Sequence, residues 1–501
     1  MPRIRLPEGR HVAVTWSIPD HFGGMTGAML HRSRAFVRLG GVTVDILTFD
    51  ARADYPEVEQ RLRASGQLID GMRLLNLWDW LREQPVQGTA ADAPGFAPLA
   101  ADPAYLSAYR GETELIRTRH AEDGVTELQV DHYRSDGTLA ISDRRDTRER
   151  GTAGGRSIVL VDRDGRPAAS WKGAWALYRW WLDEIRDGER ATLIVDSKTA
   201  ARFVLGYRRP DVVTMHVVHA SHLEGPASAP RLRESRREVL ENAGRYDGIV
   251  FLTERQRADA TRMLGGGDNF CVIPNGRDVR PQQDTTDRSP GRGIVLASLD
   301  RRKRVDHAVR AVAAARAAGT PVTLDVYGDG PDRPQVEQAA AASGGAVTVH
   351  GYDPQASERL GAASFLLLSS RSEGLPLVLV ESMAAGCIPI AYDVDYGPAD
   401  IIDDGVNGFL VPPGDIDGLA AAIGRLQRMP VAQITAMRRA AMRTAADFGD
   451  EAVTRRWADE LARAWRRHGF PPSERASGLG ARLRRGIARR LRELRVSPPA
   501  R

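Results

Sequence analysis

Apolar and polar positions alternate in blocks along the first fifty residues. His11 to Trp16 (H-V-A-V-T-W) predicts a strand, and H-F-G-G-M-T-G at 21–27 predicts a glycine loop. The following A-M-L-H-R-S-R-A-F-V-R-L-G-G predicts a helix, and Val42 to Leu47 a second strand. This order is a βαβ opening. Residues 75–125 read as polar and irregular. From 126 to 170 the period changes to two: T-E-L-Q-V-D-H-Y-R and T-L-A-I-S flank S-D-G, and S-I-V-L-V-D and P-A-A-S-W flank R-D-G. Asp-Gly turns between alternating runs predict hairpins, here an antiparallel β-meander inserted in the first α/β region.

The α/β rhythm resumes near 175, with strands predicted at 191–196, 212–219 and 248–253. Residues 279–291 read as a polar linker with two prolines. Six more apolar runs follow: G-I-V-L-A-S, V-T-L-D-V-Y, A-V-T-V-H, S-F-L-L-L-S, C-I-P-I-A-Y and G-F-L-V. Helical segments separate most of them. The expected fold class is therefore α/β, with two doubly wound domains facing a cleft. Glu451 to Arg467 predicts a long helix that would cross back to the first domain.

One of these units carries candidate chemistry. Ser364 to Ser370 predicts a strand buried on both faces, Pro376 suits a first helical position, and Gly386 suits a helix stop. Ligands of doubly wound sheets bind beyond the carboxyl ends of the strands. There the helix start would offer N–H groups to an anion. Glu373 would reach the same volume from the loop, and Glu381 from the helix. Carboxylates accept hydrogen bonds, so they match the hydroxyls of a ribose or hexose rather than a phosphate.

Composition narrows the classes. With 501 residues, 42 % hydrophobic and 27 % charged, the chain is long enough for two or three globular domains. Two cysteines, Cys271 and Cys387, make neither a disulfide framework nor a cysteine-based zinc site and suit a reducing cytoplasm. The N-terminus lacks the apolar core of a signal peptide, and no run approaches the roughly 18 apolar residues of a membrane span. From Arg475 onward there are nine arginines and one glutamate, a net +8, so the rest of the chain carries −3 of the formal +5. Leu479, Leu483, Ile487, Leu491 and Leu494 share one helical face of that tail, which suits an anionic membrane surface. A slightly acidic body without interleaved aromatic and basic residues argues against nucleic acid.

The ordered set of Gly23-Gly24, V-I-P-N at 272–275, Y-G-D-G-P at 327–331 and Glu373-x7-Glu381 resembles retaining glycosyltransferases of family 4 over about residues 10–470. That family has the GT-B fold of two Rossmann-like domains. L-T-E-R-Q at 252–256, A-Y-D-V-D-Y-G-P-A-D-I-I at 391–402 and the β-meander look like its wall-teichoic-acid, poly(glycerol-phosphate) α-glucosyltransferase branch. The resemblance implies an acceptor-side domain at 1–278 with an inserted β-rich module at about 75–172. It implies a nucleotide-sugar-binding domain at 292–446, a helix crossing back at 447–470, and the basic tail at 475–501.

Site roles follow from the same resemblance. His219, Glu373 and Lys303 would be catalytic, with Lys303 neutralising the departing phosphate. Gly23, Gly24, Lys303, Arg301, Gly328, Glu373, Gly374, Leu375, Pro376, Leu377 and Glu381 would bind the donor. Where the family has an arginine this chain has Ser298, so either Arg301 or Arg302 supplies that charge or the site is weakened. His216, His219 and His222 lie three apart, but no carboxylate pattern supports a metal site; His219 matches the family's sugar-contacting histidine best and His222 next. The implied reaction moves glucose or N-acetylglucosamine from a UDP-sugar to a hydroxyl of a cell-wall polyol-phosphate polymer or similar glycan. Configuration would be retained, with neither metal nor other cofactor. A cytoplasmic enzyme, peripheral on the inner face of the cell membrane and homo-oligomeric, is the matching expectation. Two other readings share the fold: a catalytically silent partner or chaperone of another glycosyltransferase, and a transferase for a small natural product.

Overall fold

The computed structural model describes residues 3–86, 93, 96–225, 230–279, 288 and 291–468. The basic tail at 475–501 and most of the linker at 279–291 lie outside the described residues. The chain divides into two compact units. One comprises Met1–Arg5, His216–Gly244 and Gly248–Glu460; the other comprises Leu6–Met215, Arg245–Asp247 and Leu461–Arg501.

The first seven-stranded sheet has the spatial order Phe270–Val272, Gly248–Phe251, Val212–Val218, Ala191–Val195, Arg10–Val14, Val44–Thr48, Met72–Asn76. Arg10–Val14 pairs in parallel with both Ala191–Val195 and Val44–Thr48. The strand order reverses beside Arg10–Val14, as a doubly wound topology requires. Val44–Thr48 and Ala191–Val195 are buried at every position, because helices cover both faces. In this unit Arg32 meets the buried Asp196 through two hydrogen bonds of 3.0 and 2.7 Å.

The β-meander forms as a six-stranded antiparallel sheet running in chain order from Leu106–Arg110 to Pro167–Trp171. Its first two strands, Leu106–Arg110 and Thr113–His120, fall where the sequence reads as irregular, as does the helix Leu77–Glu83. That expectation is corrected by two features. Asn76 caps the helix by accepting from the amides of Trp78 and Asp79. Leu106–Arg110 is an edge strand with exposed Leu106 and Tyr109, so it lacks the alternation of a half-buried strand.

The second sheet is parallel, in the order Val347–Gly351, Thr323–Tyr327, Arg292–Leu296, Phe365–Leu368, Ile388–Tyr392, Phe409–Val411. Its core gathers Val305, Val309 and Val312 from one helix with Phe365, Ile388 and Ile423, all nearly inaccessible to solvent. Arg292–Leu296 starts between Thr323–Tyr327 and Phe365–Leu368, so this sheet also reverses direction there. The loops leaving the carboxyl ends of Arg292–Leu296 and Phe365–Leu368 carry Lys303 and Glu373.

Candidate donor-binding site

Two loops meet above the second sheet. After Arg292–Leu296 the chain turns around Asp300, whose carboxylate accepts from the Ser298 hydroxyl at 2.7 Å and from the amides of Arg302 and Lys303 at 2.9 and 3.1 Å. Burial works against the Asp300 carboxylate, but these donors and the nearby Arg302 charge win, and its pKa falls below the ordinary value. Arg304 then takes a left-handed conformation at φ +46° before the helix Val305–Ala317. A non-glycine residue there costs about 1–3 kcal/mol and persists only where the surroundings hold it. Ser369 supplies that hold: its hydroxyl donates to the Arg304 carbonyl at 2.7 Å. The Arg371 amide donates to the Arg302 carbonyl at 2.7 Å.

This clamp aims Lys303 at the second loop. Lys303 Nζ lies 2.7 Å from Glu373 Oε1, and Arg302 Nη1 lies 3.2 Å from Glu373 Oε2. The Glu373 and Lys303 side chains are only 9 % and 15 % exposed, whereas Arg302 is half-exposed. Of the two arginines considered for the charge missing at Ser298, the structure brings Arg302 to Glu373. Arg301 is exposed.

Glu373 is also fixed by its backbone. Its amide donates to the Asp395 carbonyl at 3.1 Å, and its carbonyl accepts from the Tyr396 amide at 2.9 Å. Gly374 follows in close approach to another segment. A Cβ there would lie 2.1 Å from the His219 carbonyl oxygen, so only glycine lets these chains touch. Pro376 stands at the N-cap rather than the first helical position, since its ψ of 91° is not helical; Leu377 opens the helix Leu377–Ala384. The helix closes as expected at Gly386, φ +69°, where the Cys387 and Gly386 amides bond the carbonyls of Ser382 and Met383 in a Schellman arrangement.

Glu381 faces a partner that sequence reasoning missed. Arg277 Nε donates to Glu381 Oε1 at 2.6 Å. Arg277 follows the V-I-P-N turn, but nothing in its spacing pairs it with a residue 104 positions away. Both acids of the Glu-x7-Glu pair are thus balanced by cations.

The remaining candidates separate. His222 is fully buried, and neither ring nitrogen has a hydrogen-bond partner among the described residues. Its ring stacks on Tyr396 at 5.8 Å and 9°, and burial pushes its pKa down to about 4. His216 is buried within Val212–Val218. Among the described residues no group of three His, Cys, Asp or Glu side chains is placed to hold a metal ion. Gly328 has φ +149°, and a Cβ there would reach the Ala297 carbonyl, so the turn itself demands glycine. Gly23 caps the helix Gly24–Ala35 without a side-chain cap, and a Cβ on Gly23 or Gly24 would meet nothing within 4 Å. Neither glycine is required by the protein's own packing. No helix among the described residues is long and apolar enough to cross a membrane.

The chain is similar to several known proteins. Residues 292–428 match the family of glycosyl transferases, group 1. The chain is 32 % identical over 289 residues to an exopolysaccharide phosphotransferase of Streptomyces coelicolor, a match covering 56 % of this chain but only 28 % of that relative. It is 20 % identical over 484 residues to a poly(ribitol-phosphate) alpha-N-acetylglucosaminyltransferase of Staphylococcus aureus, covering 87 % of this chain and 96 % of the relative. Among solved structures, a TarM mutant of S. aureus in complex with fondaparinux, alpha-GlcNAc-glycerol and UDP superposes with a TM-score of 0.68 at 17 % identity, over 91 % of this chain and all of that one. The two parallel sheets and the antiparallel insert are therefore those of a GT-B fold, and over residues 292–428 the chain is similar to the glycosyl transferases of group 1.

Proposed function

We propose that this chain is a retaining glycosyltransferase of family 4 that moves glucose or N-acetylglucosamine from a UDP-sugar to a hydroxyl of a polyol-phosphate polymer, forming an α-glycosidic bond. One observation carries the reading: Lys303 and Arg302 converge on Glu373 at the start of Leu377–Ala384, with Glu381 on the same helix held by Arg277. A nucleotide diphosphate would draw the cations, and the two carboxylates would take ribose and hexose hydroxyls. The S. aureus relative of nearly equal length supports the choice of a polyol-phosphate acceptor and an aminosugar donor.

In this reading the leaving diphosphate accepts the acceptor's proton on the face where the new bond forms. The protein positions both substrates and stabilises the charge that develops on the leaving group. Lys303 is the cation for that charge. Glu381 would hold the ribose, and Glu373 the transferred sugar. His219, whose backbone carbonyl faces Gly374, would contact the transferred sugar. Peripheral attachment to a membrane through the 475–501 tail belongs to the same proposal.

Release of UDP from UDP-glucose and UDP-N-acetylglucosamine, measured with poly(glycerol phosphate) and poly(ribitol phosphate) as acceptors, tests it. Transfer with either donor supports the reading; no turnover and no UDP binding would sink it. Ser298 favours the silent-partner alternative, because its hydroxyl turns to Asp300 and leaves no cation at that position. UDP binding without turnover, with any acceptor, would select that alternative.

A further inference from the structure

Two sequence segments contribute no side chain to the Lys303, Arg302 and Glu373 cluster: L-T-E-R-Q at 252–256 and the acid-rich D-V-D-Y-G-P-A-D at 393–400. The structure joins them. Thr253 caps the helix Glu254–Leu264 by accepting from the Gln256 amide, which places Arg255 in the first turn. Arg255 Nη1 lies 2.7 Å from Asp393 Oδ1, and Nη2 lies 3.1 Å from Asp395 Oδ1. The Arg255 amide also donates to Asp400 Oδ1 at 3.2 Å. One turn further along the same helix, Asp259 accepts from the Tyr396 hydroxyl at 2.8 Å. Residues four apart share a helix face, so this helix grips the 393–400 loop at two points. The buried His222 ring lies flat against Tyr396.

The gripped loop is the one that holds Glu373. Asp395 accepts the Glu373 amide and Tyr396 donates to the Glu373 carbonyl. Gly397, at φ +107°, lets Pro376 approach so closely that a Cβ would lie 2.4 Å from its Cδ. The chain of contact is short: Arg255, then Asp393 and Asp395, then the Glu373 backbone, then the Lys303 pair. Arg255, Asp393 and Asp395 are 42 %, 37 % and 51 % exposed. Ion pairs this exposed add little to global stability. What the Arg255 fork does provide is geometry, since a planar guanidinium holds two acids in fixed directions where an ammonium's donors rotate.

We propose that Arg255 is a positioning residue: by holding Asp393 and Asp395 it sets the 395–397 backbone that fixes Glu373 and Pro376 in the donor loop. The inference rests on the donor role of Glu373 proposed above. It deepens that role by assigning a function to a side chain that touches no part of the donor cluster.

The test uses the full chain in three forms: wild type, Arg255→Ala, and the charge exchange Arg255→Asp with Asp393→Arg. Two readouts are taken, donor kcat/KM and amide hydrogen exchange in peptides spanning 369–397. Arg255→Ala is expected to lower kcat/KM by about ten- to a hundredfold, the range that small misplacement of a reacting group costs. Its thermal midpoint should stay at the wild-type value, and exchange in 369–397 should quicken. The charge exchange should recover both readouts in part. Wild-type exchange and kinetics in Arg255→Ala would overturn the proposal. So would a kinetic loss with unchanged exchange, which would place Arg255 in direct contact with substrate. If the wild type turns over no UDP-sugar, the donor reading fails by itself, and the exchange arm still decides whether Arg255 orders the loop.

Discussion

Lys303 Nζ sits 2.7 Å from Glu373 Oε1, joining two loops that leave different strands of one parallel sheet. The pair is largely buried, so each member depends on the other. Glu373→Ala would strand the Lys303 cation, at a cost of about 1–3 kcal/mol for a buried polar group left unmet. Glu381→Ala, whose Arg277 partner is 28 % exposed, should cost less than about 1 kcal/mol. Urea unfolding of the two variants checks this order. In activity the roles should differ: Glu381→Ala raises the donor KM, and Glu373→Ala chiefly lowers kcat. Equal stability losses, or full activity in both variants, would contradict the assignment.

Arg302 and Arg301 are adjacent in sequence but not in environment. Arg302 reaches both the Glu373 carboxylate and the Ser372 carbonyl, at 3.2 and 3.3 Å. Removing a charge-assisted hydrogen bond costs about 1.5–3 kcal/mol, so Arg302→Ala should weaken UDP binding by about ten- to a hundredfold. Arg301→Ala should leave it near the wild-type value. Isothermal titration with UDP distinguishes them.

Gly374 packs against the His219 carbonyl with no room for a methyl group. Gly374→Ala must push apart the two segments that meet there. Overpacking of this kind costs about 1–3 kcal/mol, and a shift near 1 Å in the donor loop should cut kcat/KM by up to a hundredfold or so. Denaturant unfolding and donor kinetics report both effects.

His222 gives the fold a pH dependence. Its folded pKa is about 4 against an ordinary 6.5, so the unfolded chain takes up the proton first as pH falls. Stability is fully present above 6.5 and is lost progressively between 6.5 and about 4, to a total of roughly 3 kcal/mol. His222→Phe keeps a flat ring on Tyr396 without the titration. Between pH 7 and 4 the wild type should therefore lose stability relative to His222→Phe. A constant difference across that range would contradict the neutral, buried imidazole.

The thiols should differ sharply. Burial pushes the Cys387 thiol up to about 12, whereas Cys271 is half-buried with its S–H directed at the Ile249 carbonyl, 3.6 Å away. Alkylation of the native protein at pH 8 should add at most one group, at Cys271. Intact-mass analysis before and after denaturation shows whether Cys387 reacts only on unfolding.

Strands and the helix Leu377–Ala384 were legible because burial on both faces makes continuous apolar runs, as in Phe365–Leu368, and because Gly386 marks a helix end that only positive φ permits. The edge strand Leu106–Arg110 was not legible: with exposed residues along it, it has no hydrophobic period to read. Spacing within one unit revealed the Glu373 and Glu381 pair. It could not reveal Arg277, which meets Glu381 across 104 residues, nor Arg255, which meets Asp393 across 138. Those contacts exist only once the sheet has folded. The histidines show the same limit from the other side. Spacing alone does not separate three histidines three apart, yet His222 is sealed against Tyr396 while the backbone of His219 borders Gly374.

The measurement that tests the central claim most directly is a transfer assay with UDP-glucose and UDP-N-acetylglucosamine on poly(glycerol phosphate) and poly(ribitol phosphate), with NMR of the product linkage, run for the wild type and Lys303→Ala. The account predicts an α-linked sugar on the polymer, UDP released in equal amount, and loss of both in Lys303→Ala. A β-linked product, or transfer that persists unchanged without Lys303, would contradict it.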